Sequence, residues 1–151
     1  MMSNHPIHHT AGVARSPFIW RVRIAPDDID PQDHVSNVAI VGYMSAAAWQ
    51  HSKALGFAAA EYLALGGMWV VKRHEIDYHA QAMLGDELLC HTWPSGLAKA
   101  SAERRHRIIR VADSALIAEG LNVWAYLDAA TGRPARIPSI LREAFDPANF
   151  V

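Results

Sequence analysis

The chain lacks the features of secreted, membrane-spanning and nucleic-acid-binding proteins. It has one cysteine, Cys90, in 151 residues, so no internal disulfide can form and a reducing compartment is expected. Its formal net charge is −1, which provides no excess of basic groups for nucleic acid or for a membrane surface. The start, MMSNHPIHHTAG, has neither the basic nor the apolar region of a secretion signal. We therefore expect a cytoplasmic protein without nucleic-acid or membrane partners.

Long apolar runs and regular metal-ligand spacings are also missing. The longest stretch without a charged side chain, Val35 to Ser52, is interrupted by polar residues, and it falls short of the roughly 20 apolar residues that a membrane span needs. The nine histidines are scattered. His74 and His79 are five residues apart on a predicted strand, so they should point to opposite faces. We expect neither a metal site nor another cofactor.

The pattern of apolar residues and turn signals predicts a strand, a long helix and then four antiparallel strands. Strands are predicted at 18–24, 68–78, 87–93, 100–111 and 116–127, and helices at 36–55, 58–65 and 139–145. Residues 1–16 are expected to be a disordered tail, and 17–151 one domain. The long helix is apolar on nearly all sides between Val38 and Trp49, which is typical of a buried helix. An α+β fold follows, in which an antiparallel sheet wraps around this helix and offers a long edge strand to a second subunit.

Titratable residues crowd the start of this helix in the segment DIDPQDHVSN, residues 28–37. Ser36 is a suitable N-cap. A helix N-terminus has unpaired amides and the positive end of the helix dipole, both of which favour a negatively charged oxygen. A carboxylate beside it can attack a carbonyl carbon or activate a water molecule. Taken alone, the same residues also fit helix caps in a solvated loop.

The pattern D-x-D-x-x-x-H-V-x-N resembles the hotdog-fold thioesterases, of the 4-hydroxybenzoyl-CoA thioesterase type and the acyl-ACP thioesterase type. Two further segments resemble signatures of these families, in the same order along the chain: Ile76-Asp77-Tyr78 with Gly85-Asp86, and Thr131-Gly132-Arg133-Pro134 with Ile137-Pro138. The resemblance covers about residues 18–145. It implies a hotdog fold and an enzyme that hydrolyses an acyl-CoA or acyl-ACP thioester.

The resemblance also implies roles for individual residues. Asp30 corresponds to the catalytic carboxylate and would act as base or nucleophile, and the helix near Asn37 would supply a backbone amide to the thioester carbonyl. His34 would hydrogen-bond the thioester oxygen or Asp30, and Gln32 would orient a water molecule. Asp28 is expected to be a structural acid or cap. The glutamate that many relatives carry midway along the helix is missing from Ala46 to Ala48, so Asp30 is the only acid expected to be essential.

The acyl group is expected along the helix beside Val41, Tyr43 and Ala47, with Trp49, Trp69 and Trp93 as further candidates for its pocket. Alternation along the fourth strand places Arg105 and Arg107 on one face and Arg104 on the other. Arg105 and Arg107 either contact the phosphates of coenzyme A or belong to a solvated face or a protected edge.

Two other functions compete with thioester hydrolysis: a hotdog enoyl-thioester hydratase and a non-catalytic acyl-thioester-binding protein. The expected assembly is a homodimer or homotetramer.

Overall fold

The predicted elements are present in a computed structural model, which describes residues 17–150. They are β1 (Phe18–Arg23), α1 (Asn37–Ala54), α2 (Ala59–Leu65), β2 (Gly67–Tyr78), β3 (Glu87–Leu97), β4 (Ser101–Arg110), β5 (Leu116–Asp128) and α3 (Ser139–Ala144). Strand β3 continues past its predicted end at Trp93, because an irregularity between Pro94 and Gly96 accommodates the proline. The disordered tail predicted for residues 1–16 lies outside the described residues.

All five strands belong to one antiparallel sheet in the order β1-β3-β4-β5-β2. The α+β fold class, with an antiparallel sheet around a central helix, is therefore confirmed. Strands β1 and β2 are the edges of the sheet within residues 17–150. Strand β4 lies at its centre, so the interpretation of the β4 arginines as edge protection is wrong: hydrogen bonds to β3 and β5 already occupy both sides of that strand.

Helix α1 packs one face against the sheet. Its buried residues include Tyr43, Met44 and Ala47, which join a core cluster with side chains of β1, β3, β4 and β5. Gly120 on β5 allows the close approach, since a Cβ atom there would lie 2.7 Å from the sulfur of Met44. This contact fixes how deeply the helix settles on the sheet.

The prediction of a helix buried on all sides is wrong. Val38 is 81% exposed and Trp49 is 41% exposed, although both side chains are apolar. The sheet covers one side of α1, and hydrophobic composition alone cannot indicate that the remaining apolar surface stays open in the single chain. Exposed apolar side chains at both ends of one helix are consistent with a ligand or a second subunit covering them.

A second apolar cluster closes the C-terminal end of α1. Phe57, Tyr62, Tyr126, Leu141 and Phe145 belong to it, so it joins the segment after α1 to α2, β5 and α3. Backbone hydrogen bonds hold the connection to α3 in place: the amide of residue 135 donates to the carbonyl of residue 126, and that of residue 137 to the carbonyl of residue 99.

Within residues 17–150, no helix has both the length and the hydropathy needed to span a membrane.

Candidate active site

Asp30 lies in a tight turn just before α1, and the turn holds its carboxylate by one oxygen. Asp30 Oδ1 accepts hydrogen bonds from the backbone amides of Gln32 (2.9 Å) and His34 (3.2 Å). The amide of Asp30 donates in return to the carbonyl of His34, at 2.7 Å. Asp33 has a φ of 64°, the left-handed conformation that lets the chain reverse here. Oδ2 of Asp30 has no hydrogen-bond partner in the described part of the chain, so it is available to a water molecule or a substrate.

Asp28 is held by its neighbours in a different way. Its Oδ2 accepts hydrogen bonds from the hydroxyl of Tyr43 (2.9 Å) and from the amide of Ala25 (3.1 Å). Its carbonyl accepts from the amide of Ser36, at 2.8 Å. Burial and the adjacent Asp28 raise the pKa of the Tyr43 phenol, which therefore keeps its proton. Asp28 ties the loop to α1, the structural role expected of it.

The first turn of α1 presents two free amide donors. The hydroxyl of Ser36 accepts a hydrogen bond from the amide of Ala39 at 3.0 Å, which confirms Ser36 as the N-cap. The amides of Asn37 and Val38 have no acceptor within residues 17–150, and these are positions where α-helices leave donors unpaired. Together with the helix dipole they form a site for a negatively charged oxygen.

This site is open to solvent in the single chain. Asn37 and Val38 are both exposed, so the predicted burial of the helix does not extend to the residues whose amides are unpaired. The sheet packs against the middle of α1 and leaves its first turn uncovered. Catalytic hydrogen bonds are strongest where water is excluded, and exclusion here requires a bound substrate or another subunit.

The structure brings Asp30, Gln32, His34 and Asn37 together because they belong to one turn and the first residue of the following helix. His34 is half-buried, and its main chain bonds to Asp30 through both its amide and its carbonyl. Its imidazole and the exposed side chain of Gln32 form no hydrogen bonds within residues 17–150. Their side-chain roles stay predictions.

Arg105 and Arg107 lie on the outer face of the sheet, opposite α1. They border a shallow depression of about 210 Å³ that also contains Glu75, Asp77 and Glu119. Nη2 of Arg107 is 3.4 Å from Oε1 of Glu119. Carboxylates beside these arginines compete with a phosphate for them, and contact with the phosphates of coenzyme A stays a prediction.

A cavity of about 420 Å³ lies at the other end of α1, a size typical of small-molecule sites. Its lining includes Trp49, Tyr62, Trp69, Arg104, Trp124 and Phe145. Of the three tryptophans predicted as candidates for the acyl pocket, Trp49 and Trp69 line this cavity, whereas Trp93 borders the outer depression.

Tyr43 and Ala47, beside which the acyl group was predicted to lie, are buried in the core, and neither they nor Val41 line the cavity. The position of the acyl group stays a prediction. Sequence reasoning placed Arg104 on the face opposite Arg105 and Arg107, where the structure has it, but did not identify it as part of a site. The sequence signal that could have identified Arg104 was a charged residue at a strand position that faces the core.

The cavity and Asp30 lie at opposite ends of the same helix. The cavity begins at Ala48, which follows Asn37 by about 16 Å at the usual rise of an α-helix. Strand β2 connects the two regions in another way. It starts at the cavity with Gly67, Met68 and Trp69, and it leads to Ala82, whose carbonyl accepts a hydrogen bond from the amide of Val35 at 2.8 Å.

Comparison with known proteins agrees with this fold. The model of the thioesterase-like superfamily matches residues 24–145. No curated protein sequence matches the chain significantly.

Solved structures resemble the chain over most of its length. A thioesterase from Thermus thermophilus, complexed with coenzyme A and zinc, is 28% identical with a TM-score of 0.74, covering 87% of this chain and 93% of the other. A 1,4-dihydroxy-2-naphthoyl-CoA thioesterase from Synechocystis is 16% identical with a TM-score of 0.78, covering 85% and 94%. A hypothetical protein from Staphylococcus aureus in complex with CoA is 12% identical with a TM-score of 0.83, covering 91% and 86%.

Proposed function

Because the chain belongs to the thioesterase-like superfamily, we propose that it hydrolyses acyl-CoA thioesters, with Asp30 as the catalytic carboxylate. The observation that carries the proposal is the free oxygen of Asp30 just before a helix with two free amides. Coenzyme A is the proposed carrier because structures of two similar proteins contain it. Within residues 17–150 no group of His, Cys, Asp and Glu is arranged to hold a metal ion, and the proposed chemistry uses side chains and backbone amides.

In this mechanism the thioester carbonyl oxygen accepts hydrogen bonds from the amides of Asn37 and Val38. The bonds strengthen as the oxygen becomes negative during attack on the carbonyl carbon. Asp30 uses Oδ2 to attack that carbon directly or to remove a proton from an attacking water molecule. The bond between carbon and sulfur then breaks, and the sulfur leaves as the coenzyme A thiol with a proton that comes from water. When water attacks, the free acid forms directly. When Asp30 attacks, the product is a mixed anhydride, which a water molecule hydrolyses to release the free acid and restore Asp30. His34 and Gln32 are positioned in the same turn to orient the carbonyl or the water.

We further propose that the working enzyme is a homodimer formed through β2. This strand is an edge in the single chain, and Met68, Val70 and Tyr78 on it are 40%, 39% and 46% exposed. An unpaired edge strand readily adds a strand from a second copy. If two β2 edges pair antiparallel about a twofold axis, the start of each lies beside the end of the other. The cavity of one copy then lies near the Asp30 turn of its partner, and a thioester bound between them is shielded from water.

The test is thiol release from a panel of saturated acyl-CoAs by the wild type, by Asp30→Asn and by Asp27→Asn. Asparagine keeps an oxygen that accepts the amides of Gln32 and His34, so the turn should persist in Asp30→Asn. We expect Asp30→Asn to lower kcat/KM by about 10²–10⁴-fold. Asp27→Asn removes an exposed acid from the same loop and is the matched control for charge.

Three outcomes contradict the proposal. Equal turnover by Asp30→Asn and the wild type would mean that the site is wrong. Hydration of 2-enoyl-CoA without thiol release from saturated thioesters would indicate a hydratase. Tight acyl-CoA binding without any turnover would indicate a binding protein.

A further inference from the structure

The cavity at the C-terminal end of α1 contains a buried cation. Arg104 lines it and is 7% exposed. Its Nη1 bonds to Nδ1 of His51 at 3.0 Å and donates to Oγ1 of Thr92 at 2.9 Å. No carboxylate within residues 17–150 forms an ion pair with it. Burial lowers the pKa of the guanidinium to about 10, so Arg104 is still charged at neutral pH.

Most of the donors of this guanidinium are unused. Arginine has five N–H groups, and the bonds to His51 and Thr92 account for the two on Nη1. The groups on Nε and Nη2 have no acceptor in the described part of the chain. Nε1 of Trp124, in the same cavity lining, is also buried, with no hydrogen-bond partner among residues 17–150. Buried donors without acceptors and buried charges without counterions cost stability, so their presence in a cavity wall indicates a ligand that satisfies them.

The rest of the lining defines the body of that ligand. Trp49, Tyr62, Trp69 and Phe145 give the cavity a predominantly aromatic and aliphatic wall. The guanidinium lies 5.8 Å from the centre of the Phe145 ring. Glu103 also borders the cavity, but it is on the exposed side of the lining.

A cation and a neutral acyl chain each fit only part of this lining. Aromatic walls of this kind also suit a quaternary ammonium group, but Arg104 would repel one. A wholly neutral acyl chain would leave the charge unpaired. The complement is an apolar or aromatic group that ends in a carboxylate, which matches the fork of donors on arginine.

We propose, building on the thioesterase function above, that the acyl group of the substrate ends in a carboxylate and that Arg104 binds this carboxylate. The substrate class is then the CoA monothioester of a dicarboxylic acid. The thioester end of the acyl group reaches the Asp30 turn of the partner copy, while its apolar middle contacts the aromatic wall. Arg104 thus determines specificity, and the reacting atoms lie at the other end of the acyl group.

The first experiment compares thioesters that differ only at the far end of the acyl group. Thiol release is measured for adipoyl-CoA with hexanoyl-CoA, and for suberoyl-CoA with octanoyl-CoA. We expect kcat/KM to favour the carboxylate-bearing member of at least one pair by about 10²-fold, because a site built for a polar group rejects analogues that lack it. In Arg104→Gln this preference should disappear, because kcat/KM falls much further for the carboxylate-bearing member of each pair than for its neutral partner. Arg104→Lys should retain part of it.

The matched control is Arg23→Gln, which removes an exposed arginine from β1 and should leave the preference unchanged. A wild type that hydrolyses both members of every pair equally overturns the inference while the thioesterase function stands. The same holds if Arg104→Gln lowers both substrates in parallel, which is the effect of a purely structural arginine.

A binding measurement separates this site from the reaction. Thermal unfolding of the wild type and of Asp30→Asn is followed with sodium hexanoate and with hexanamide, its neutral analogue. We expect hexanoate to raise the unfolding temperature of both proteins and hexanamide to raise neither, since only the carboxylate pairs with Arg104. Stabilisation by hexanoate without thiol release from any thioester would preserve the carboxylate site and reject the enzymatic function. Equal effects of hexanoate and hexanamide would overturn the site, even if Arg104→Gln fails to fold.

Discussion

The two ends of α1 differ in the environment that they offer a ligand. The N-terminal end is polar and exposed, with a carboxylate oxygen and two amides that have no partners in the described residues. The C-terminal end is a mainly apolar cavity with a buried cation. The N-terminal end, called the open end below, holds the groups to which the proposed function assigns the reaction, but it has little shelter from water. The C-terminal end, called the closed end, is sheltered, and the proposed reaction uses none of its described side chains. The proposed site therefore combines the two ends from different copies of the chain.

The helix dipole helps to explain why each charge is tolerated where it is. The N-terminus of a helix favours negative charge and the C-terminus favours positive charge. Asp30 precedes the first turn, and His51, in the last turn, contacts Arg104. At the C-terminal end, however, burial works against the charge of Arg104, and within residues 17–150 it bonds to an imidazole and a hydroxyl rather than to a carboxylate. The charged and polar groups of the open end are exposed to solvent, whereas no carboxylate of residues 17–150 pairs with Arg104 at the closed end.

The sharpest test of this comparison is a heterodimer in which one subunit has a defective open end and the other has a defective closed end. Asp30→Asn disables the open end, and Ala102→Phe fills the cavity, since Ala102 lines it on β4. Each homodimer should be nearly inactive. A heterodimer of the two, purified through two different tags, keeps one intact site of two, so it should have about half of the wild-type activity per dimer. Thiol release from the preferred acyl-CoA is the measurement.

The control for this experiment is a heterodimer of Asp30→Asn with the wild type, which should also retain one site. If both ends of a site came from the same chain, the doubly defective heterodimer would be inactive while the control stayed active. That pattern would contradict the shared site.

A smaller effect is expected on stability when the serine at each end of α1 is replaced by alanine. Ser52 is buried, and its hydroxyl donates to the carbonyl of Phe57 at 2.6 Å and shares a hydrogen bond with the hydroxyl of Tyr62 at 2.7 Å. Ser52→Ala leaves both partners without this bond in a buried site, so it should lower the free energy of unfolding by about 2 kcal/mol. Ser36→Ala removes only the N-cap of an exposed turn and should cost about 1 kcal/mol.

Urea unfolding of the purified variants measures this difference. Ser95→Ala is the control, because the hydroxyl of Ser95 is buried and has no hydrogen-bond partner in the part of the chain that the structure describes, so its removal should cost almost nothing. A larger loss for Ser36→Ala than for Ser52→Ala would mean that the closed end is less tightly packed than the structure indicates.

The open end was predictable from the sequence because it is local. Asp30, His34, Ser36 and Asn37 lie within eight consecutive positions, and turn and capping chemistry determines their arrangement. The strands and helices were predictable for the same reason, since alternation and turn residues act over short distances. Their common fold class followed from the need to cover one large apolar helix.

The closed end was not predictable, because distant parts of the chain form it. Its lining runs from Ala48 to Phe145 and includes residues of α1, α2, β2, β3, β4 and β5. Alternation separated Arg104 from Arg105, but only the order of strands shows that β4 is central and that its inner face meets the C-terminal end of α1. Apolar composition likewise predicted a buried α1 and could not indicate which surface the single chain leaves open.

A buried histidine beside the closed end, His106, leads us to expect a specific loss of stability in acid. His106 is 2% exposed, and its Nε2 receives a hydrogen bond from Nδ2 of Asn122 at 2.8 Å. Burial, with Arg104 and His74 nearby, holds the pKa of His106 well below that of a free histidine.

As the pH falls, His106 therefore takes up a proton in the unfolded chain before it does so in the folded chain. The contribution of neutral His106 to the free energy of unfolding is fully present above the pKa of the unfolded chain and is lost as the pH falls below it. Between about pH 7.5 and 5.5 this residue should lower the free energy of unfolding by on the order of 1 kcal/mol. His106→Gln should remove that part of the decline in urea titrations at both pH values, leaving a smaller decline from His91, whose pKa burial also lowers. An equal decrease in the free energy of unfolding for the variant and the wild type would mean that protonation of other groups causes the loss. It would also mean that the buried interior beside the cavity does not lower the pKa of His106.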